Sequence, residues 1–206
     1  MIKKEIYPKT ERVRVSSKCY ITEKLDGSNL CIFKKHDELY IAQRNNIINV
    51  DEELEEVKDN LYKGLYQWIK DNKNALCTIR NDSVICGEWI GMGQLKYTVE
   101  EFDKRIYMFA KANIDDEFNL YNLKYEHELF CYPFEDKIIP NCIGIVPQPY
   151  VLEIVPIKEQ LDKMYESYCD RVKRNVEGFV LNYNNQIQKY VRMKNGKLQE
   201  HFDRFS

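Results

Sequence analysis

Short β-prone runs separated by turn-forming residues are the feature that most restricts the fold of this 206-residue chain. Residues 19–23 (CYITE), 30–33 (LCIF) and 39–42 (LYIA) are rich in β-branched and aromatic side chains, with DGSN and KKHDE between them. Such runs and breaks predict antiparallel strands joined by tight turns. The same reasoning predicts further strands at 84–90, 105–111, 177–182 and 187–194.

Helical periodicity is found in two other stretches. Apolar residues recur at steps of three or four within 51–72, and again within 158–169, so an amphipathic helix is predicted in each. A third helix is predicted around 122–130, and the prolines within 143–156 indicate irregular or edge segments. We therefore expect one α+β domain over residues 1–206, with antiparallel sheets flanked by helices.

Composition excludes several classes of protein. Apolar residues make up 44% of the chain and charged residues 31%, which is typical of globular proteins and argues against disorder. The seven cysteines form no CxxC pair and only three histidines are present, so a zinc site or a disulfide framework is not expected. No apolar run approaches the ~18 residues of a membrane span, and the N-terminus has no signal-like apolar region. These features predict a reduced, cytoplasmic protein with no membrane partner.

Positive charge is concentrated near the C-terminal end, although the chain as a whole carries a net charge of -2. One acidic residue, Glu177, lies in this segment among seven basic ones: Arg171, Lys173, Arg174, Lys189, Arg192, Lys194 and Lys197. A solvated charged surface would explain the pattern equally well. If the chain binds an anionic partner, we expect this segment to attract it.

The stretch Glu23-Lys24-Leu25-Asp26-Gly27-Ser28-Asn29 carries the clearest chemical signal. Lys24 ends a predicted strand just before a glycine turn, which would project its amine from a rigid element. A lysine is a nucleophile only when its amine is neutral, and nearby positive charge or burial favours that form. A KxDG tetrapeptide by itself is equally compatible with a hairpin turn and a surface lysine.

Six further residues follow in order, each in or beside a predicted strand: Arg44, Glu88, Phe109, Glu177, Arg192 and Lys194. Together they supply what a nucleotide site requires, namely an aromatic face, carboxylates for ribose or metal, and cations for phosphate. Phe109 could instead be a core residue. Glu88 and Glu177 are harder to explain in that way, because a carboxylate in an apolar strand needs a partner to offset its desolvation.

These segments resemble motifs I, Ia, III, IIIa, IV and V of the covalent nucleotidyltransferase superfamily of ATP-dependent ligases and capping enzymes. The closest resemblance is to the RNA ligase 2 family, and it extends over residues 23–200. It implies the ATP-grasp-like nucleotidyltransferase fold of ligases and capping enzymes. It also implies ATP as the nucleotide and Mg²⁺ or Mn²⁺ as the metal.

The resemblance assigns catalytic roles to Lys24, Glu177 and Lys194. Lys24 would become lysyl-AMP through a phosphoramidate bond, Glu177 would bind the divalent metal, and Lys194 would contact the α-phosphate. Arg192 would join the nucleotide site in place of the first of two lysines that are usual in motif V. Its planar guanidinium keeps the charge but is not equivalent to an ammonium group.

The resemblance also assigns nucleotide-binding roles to residues outside motif V. Glu23 would lie near the adenine edge, and Phe109 would stack on the base. Glu88 would bind the ribose, while Asn29 and Arg44 would hold ribose or phosphates and orient the RNA end.

The implied function is ATP-dependent RNA ligation of a 5′-phosphate end to a 3′-hydroxyl end, with a nicked duplex as the expected substrate. No C-terminal RNA-binding domain follows motif V within residues 1–206, so a protein partner or self-association is expected to supply RNA contacts. A GTP-dependent capping guanylyltransferase and a minimal DNA ligase share the nucleophile motif and stay open. A non-catalytic module that binds nucleotides or RNA ends is the alternative from another class.

Overall fold

The structure, a computed structural model, describes residues 18–43, 46–51, 62–91, 97–183, 186–191, 193–194 and 197–198. It is an α+β fold with a large and a small sheet, which confirms the predicted fold class. The strands of the large sheet are β2 (Ser28–Lys35), β3 (Glu38–Ala42), β4 (Ile47–Asn49), β5 (Ser83–Trp89), β6 (Ile106–Ile114), β7 (Leu120–Lys124) and β8 (Ile143–Ile145). Their order in the sheet is β4-β3-β2-β5-β6-β7, and β8 pairs with β6.

The strands of the small sheet are β1 (Cys19–Lys24), β9 (Tyr150–Leu152), β10 (Gly178–Tyr183) and β11 (Gln186–Val191). Their order is β11-β10-β1-β9, and all the pairs are antiparallel. β12 (Met193–Lys194) and β13 (Lys197–Leu198) form a separate short hairpin. The proline-containing segment 143–156 supplies β8 and β9, which agrees with the expected edge positions.

Among the described residues, one helix packs on each sheet. The apolar face of α1 (Leu65–Leu76) packs on the large sheet, where Leu65 and Ile69 join a buried cluster that includes Ile32 and Trp89. α2 (Lys158–Val172) covers the small sheet through Leu161, Tyr165 and Cys169, which pack with Ile21 and Phe179. The opposite face of the large sheet carries a third apolar cluster, and the active-site candidates lie along this face.

Two predicted helices differ from the structure. The prediction of one helix over 51–72 is wrong at residues 63–64, which form a turn after a 3₁₀ residue at 62, and α1 begins only at Leu65 and extends to Leu76. Residues 52–61 lie outside the described residues. The helix predicted around 122–130 is wrong because 120–124 pairs as β7 with β6, and only a short 3₁₀ turn follows at His127–Leu129. Sheet pairing overrode a weak local helical pattern there.

None of the described helices is long and apolar enough to cross a membrane. All seven cysteines carry free thiols.

Candidate active site

Lys24 lies where the two sheets meet. It is the last residue of β1 and pairs with Gly178 at the start of β10. Glu177 therefore lies directly beside it, and Lys24 Nζ is 2.5 Å from Glu177 Oε1. The Glu177 side chain is only 2% exposed, whereas that of Lys24 is 24% exposed. The strand pairing thus places a partly open amine against a buried carboxylate.

Two glycines permit this close arrangement. A Cβ atom on Gly27 would lie 2.4 Å from the carbonyl oxygen of Trp89, and one on Gly178 would lie 2.0 Å from the carbonyl oxygen of Tyr190. Any side chain at either position would push the neighbouring strand away. The glycines of the KxDG segment and of the Glu177-Gly178 pair therefore let the backbone pack closely around Lys24.

Glu88 brings a second carboxylate to the same site from β5. Burial raises its pKa to about 7, and the negative charges of Glu177 and Asp26 add to this effect. The charge of Lys24 and a hydrogen bond from the Gly27 backbone N–H act in the opposite direction. Glu88 is therefore a largely buried carboxylate whose negative charge is only partly compensated by the protein.

Asn29 and Phe109 lie near Glu88 on the large sheet. Asn29 is directly opposite Glu88 in the β2–β5 ladder and is exposed. Phe109 is the residue skipped at the β5–β6 irregularity, since Cys86 pairs with Ala110 and Gly87 with Met108. Its half-buried ring packs against two apolar clusters, one containing Cys86 and the other Tyr107. The structure thus brings Lys24, Glu177, Glu88, Asn29 and Phe109 to one region.

Glu23 has different surroundings from its neighbour Lys24. Its side chain is fully buried, and its carboxylate is held by both terminal nitrogens of Arg174. The Tyr168 hydroxyl donates a further hydrogen bond at 2.6 Å. Burial and the charge of Glu23 raise the pKa of Tyr168, which keeps it a hydroxyl donor. The adenine role suggested for Glu23 stays a prediction, but its carboxylate already has these protein partners.

Arg174 also connects to the loop after Lys24. Its Nε is 3.1 Å from Glu101 Oε2, and its guanidinium lies over the Phe102 ring. The ring of Tyr97 lies 6.0 Å from the same guanidinium, and the Tyr97 hydroxyl accepts a 2.6 Å hydrogen bond from the Asp26 N–H. Sequence reasoning missed this network. A glutamate buried in a strand needs a cationic partner, and this requirement could have indicated that such a network exists. No local pattern identifies the partner as Arg174, because it lies 151 residues away in the chain.

Three predicted site residues lie wholly or partly outside the described part of the chain. Arg44 and Arg192 lie outside the described residues. The backbone of Lys194 is in β12, opposite Lys197, but its side chain lies outside the described part of the chain. The roles predicted for these three residues stay predictions.

Glu177 is suited to bind a metal ion that takes most of its ligands from water and nucleotide phosphates. Among the described residues, no three His, Cys, Asp or Glu side chains are grouped so that they could hold a metal ion. Mg²⁺ usually keeps several waters and binds through one or two carboxylates together with substrate phosphates. The buried Glu177 carboxylate beside Lys24 satisfies that requirement, whereas an all-protein metal cage is not seen in the described ranges.

The two sheets and the lysine at their junction form a fold of the nucleotidyltransferase type. The sequence model of the RNA ligase family matches residues 17–195. This match covers most of the chain, which therefore belongs to the RNA ligase family. A search of curated proteins gave no match.

Solved structures with this fold include RNA ligases of Naegleria gruberi. The ligase with PPi is 21% identical, with a TM-score of 0.54 over 84% of this chain and 48% of that chain. A mutant of that ligase with ATP and Mn is 19% identical, with a TM-score of 0.52 over 89% of this chain and 55% of that chain. The present chain thus spans about half the length of these ligases, and the likeness establishes the fold.

Proposed function

We propose that this protein is an ATP-dependent RNA ligase that uses Lys24 as its nucleophile. The single observation that carries the proposal is the Lys24–Glu177 pair, 2.5 Å apart at the junction of the sheets, in a chain of the RNA ligase family. Naegleria gruberi RNA ligase structures with ATP and Mn or with PPi support ATP as the nucleotide and pyrophosphate as a product.

In the first step, the neutral Nζ of Lys24 attacks the α-phosphorus of ATP. A P–N bond forms as the nitrogen gives up a proton to solvent, the bond between the α-phosphorus and the bridging oxygen breaks, and pyrophosphate leaves. The amine must lose a proton before it attacks, and cationic groups around bound phosphates favour its neutral form. The Glu177 contact keeps Nζ within the cleft, so the nucleophile is positioned before the nucleotide binds.

The nucleotide would lie along the exposed side of the large sheet. Phe109 offers a half-buried ring for the adenine base, and Glu88 offers a carboxylate for ribose hydroxyls. Asn29, opposite Glu88, would contact ribose or phosphate. Arg44, Arg192 and Lys194 would complete the phosphate contacts.

Glu177 would hold Mg²⁺ or Mn²⁺ together with the nucleotide phosphates. When bound, such an ion would neutralise phosphate charge during nucleotidyl transfer. The partly compensated charge of Glu88 suits a hydrogen-bonding role toward the ribose.

The later steps would act on RNA. AMP passes from Lys24 to the oxygen of a 5′-phosphate, which forms a pyrophosphate linkage, and a 3′-hydroxyl then displaces AMP to form a phosphodiester. Nicked duplex RNA is the proposed substrate. Arg171, Lys173 and Lys189 lie at the surface of the basic segment, where RNA phosphates could reach them, whereas Arg174 of the same segment is turned toward Glu23.

The test is covalent labelling. After incubation with ATP and Mg²⁺, intact-mass and peptide spectra are expected to place one AMP on Lys24. Lys24→Ala and Lys24→Arg should both lose the label, since an arginine side chain stays protonated. Lys70→Arg, on the exposed face of α1, is the matched control and should label normally.

Three outcomes would contradict the proposal. An adduct on a different lysine would remove the assignment of the nucleophile, and labelling by GTP rather than ATP would favour a capping guanylyltransferase. Binding of ATP without any covalent adduct would favour a non-catalytic module. Sealing of nicked RNA compared with nicked DNA then separates an RNA ligase from a minimal DNA ligase.

A further inference from the structure

Two free thiols face each other beside the nucleotide residues of the large sheet. Cys31 of β2 pairs directly with Cys86 of β5, and their sulfur atoms are 3.3 Å apart. The neighbouring pair on the same side of this ladder is Asn29 with Glu88. The dithiol is therefore two residues along each strand from the two residues proposed to contact the ribose.

The backbone at this pair is compatible with a covalent link. Directly opposed residues in antiparallel strands have Cα atoms about 4.5 to 5.5 Å apart. Disulfides require Cα atoms about 4.4 to 6.8 Å apart. Because the sulfurs of Cys31 and Cys86 already make contact, closure needs side-chain adjustment rather than a new strand register.

The two thiols differ in accessibility and acidity. Cys31 is half-buried and lines an open groove of about 410 Å³ with Asn29, Phe33, Gln43 and Phe118, among others. Cys86 is only 3% exposed. Hydrogen bonding to Cys86 lowers the pKa of Cys31, whereas the same contact and burial raise the pKa of Cys86. An accessible thiol with the lower pKa is the one that oxidants attack first.

We propose that Cys31 and Cys86 form an oxidisable dithiol site in the floor of the nucleotide cleft, with a hydroperoxide as the oxidant. The Cys31 thiolate attacks the peroxide oxygen, the O–O bond breaks, and Cys31 becomes a sulfenic acid while one water or alcohol leaves. The Cys86 sulfur then attacks Cys31 Sγ, and the S–O bond breaks with release of water. Two thiols are oxidised to one disulfide, and one peroxide is reduced.

The link would alter the site that binds the nucleotide, an inference that rests on the proposed function. Cys86 belongs to the apolar cluster against which Phe109 packs, and Phe109 is skipped in the ladder next to Cys86. A disulfide would bring the two sulfur atoms from 3.3 Å apart to a bond of about 2.05 Å. This would shift the apolar cluster under Phe109 and the adjacent Asn29–Glu88 pair. Since small misplacements cost large factors in rate, we expect AMP loading of Lys24 to slow by about tenfold or more.

The experiment uses the full chain and hydrogen peroxide. Peptide mapping without reductant should recover a Cys31–Cys86 linked peptide, formed earlier than any modification of Cys77, which is exposed. In Cys86→Ala the sulfenic acid on Cys31 should persist and react with dimedone, whereas Cys31→Ala should show neither product. Cys77→Ala is the matched control and should still form the link.

AMP loading is then measured in the oxidised protein and after reduction with dithiothreitol. Slowed loading that recovers on reduction, and that is absent in Cys31→Ala, supports the proposal. Oxidation of Cys77 with no Cys31–Cys86 peptide would overturn the site, and unchanged loading in fully linked protein would overturn its effect on the cleft. If reduced protein never takes AMP, the proposed function fails while the linked peptide still reports on the dithiol site.

Discussion

Glu23 and Glu88 are both largely buried carboxylates close to Lys24, yet their surroundings differ. Arg174 and Tyr168 together bind both oxygens of Glu23, whose side chain is fully enclosed. For Glu88, burial outweighs the attraction of Lys24 and the Gly27 hydrogen bond and raises its pKa to about 7. A compensated buried charge supports the fold, whereas a partly compensated one is suited to bind a ligand.

The largest expected effect on stability comes from removing the cationic partner of Glu23. Arg174→Ala would leave the Glu23 carboxylate buried without its guanidinium, which is expected to destabilise the protein by about 3–5 kcal/mol. Urea unfolding followed by circular dichroism measures this loss. Arg171→Ala, a change in an exposed arginine of the same segment, is the control and should cost much less.

A second variant distinguishes lost charge compensation from lost packing around Arg174. In Glu23→Gln combined with Arg174→Met, neither charge is present, so much of the stability lost in Arg174→Ala should return. If Arg174→Ala were as stable as Arg171→Ala, the Glu23–Arg174 network would not support the fold, and the contrast with Glu88 would disappear.

The contribution of Glu88 to the free energy of unfolding should instead depend on pH. Its pKa is raised to about 7 in the folded protein, so the folded state binds its proton more tightly than the unfolded state. Its stabilising contribution is fully present below the unfolded pKa of about 4.3. It is lost as pH rises through about 7, with a total change on the order of 4 kcal/mol.

Glu88→Gln removes this titration. Relative to the unmodified protein, the variant should therefore gain unfolding free energy as pH rises from about 4.5 to about 7. Urea unfolding at several pH values is the measurement, and Glu100→Gln, at an exposed glutamate, is the control. A constant stability difference across this pH interval would mean that Glu88 is as well compensated as Glu23.

Phe109 offers a smaller and more local test of the open side of the site. Phe109→Leu keeps an apolar side chain but removes the ring, so ATP binding should weaken by the ~1–3 kcal/mol typical of a lost base stack. Phe109→Tyr keeps the ring and should bind ATP almost normally. Calorimetric ATP titration of both variants is the measurement.

The alternative is that Phe109 acts only in the core. In that case Phe109→Leu would lower thermal stability but leave ATP affinity unchanged in the folded protein. The half-buried position of the ring against two apolar clusters makes some loss of stability expected in either case, so the ATP affinity decides.

Local patterns were sufficient for most strands but not for every helix. The β-prone runs 19–23, 84–90 and 105–111 correspond to β1, β5 and β6 as predicted, and β1 extends by one residue to Lys24. The helix predicted around 122–130 overlaps β7 (Leu120–Lys124), because a short apolar run does not distinguish a helix from a strand. Its pairing with β6 depends on a neighbouring strand, which no local pattern specifies.

The sequence by itself determined the order of the motifs, the α+β class and the identity of the residues with reactive groups, because these follow from spacing and chemistry along the chain. Only the tertiary structure decided which carboxylate faces Lys24. Adjacent residues of a strand point to opposite faces, so β1 directs Lys24 toward Glu177 and Glu23 toward Arg174. Those partners lie about 150 residues away, and sheet pairing and the packing of α2 bring them together.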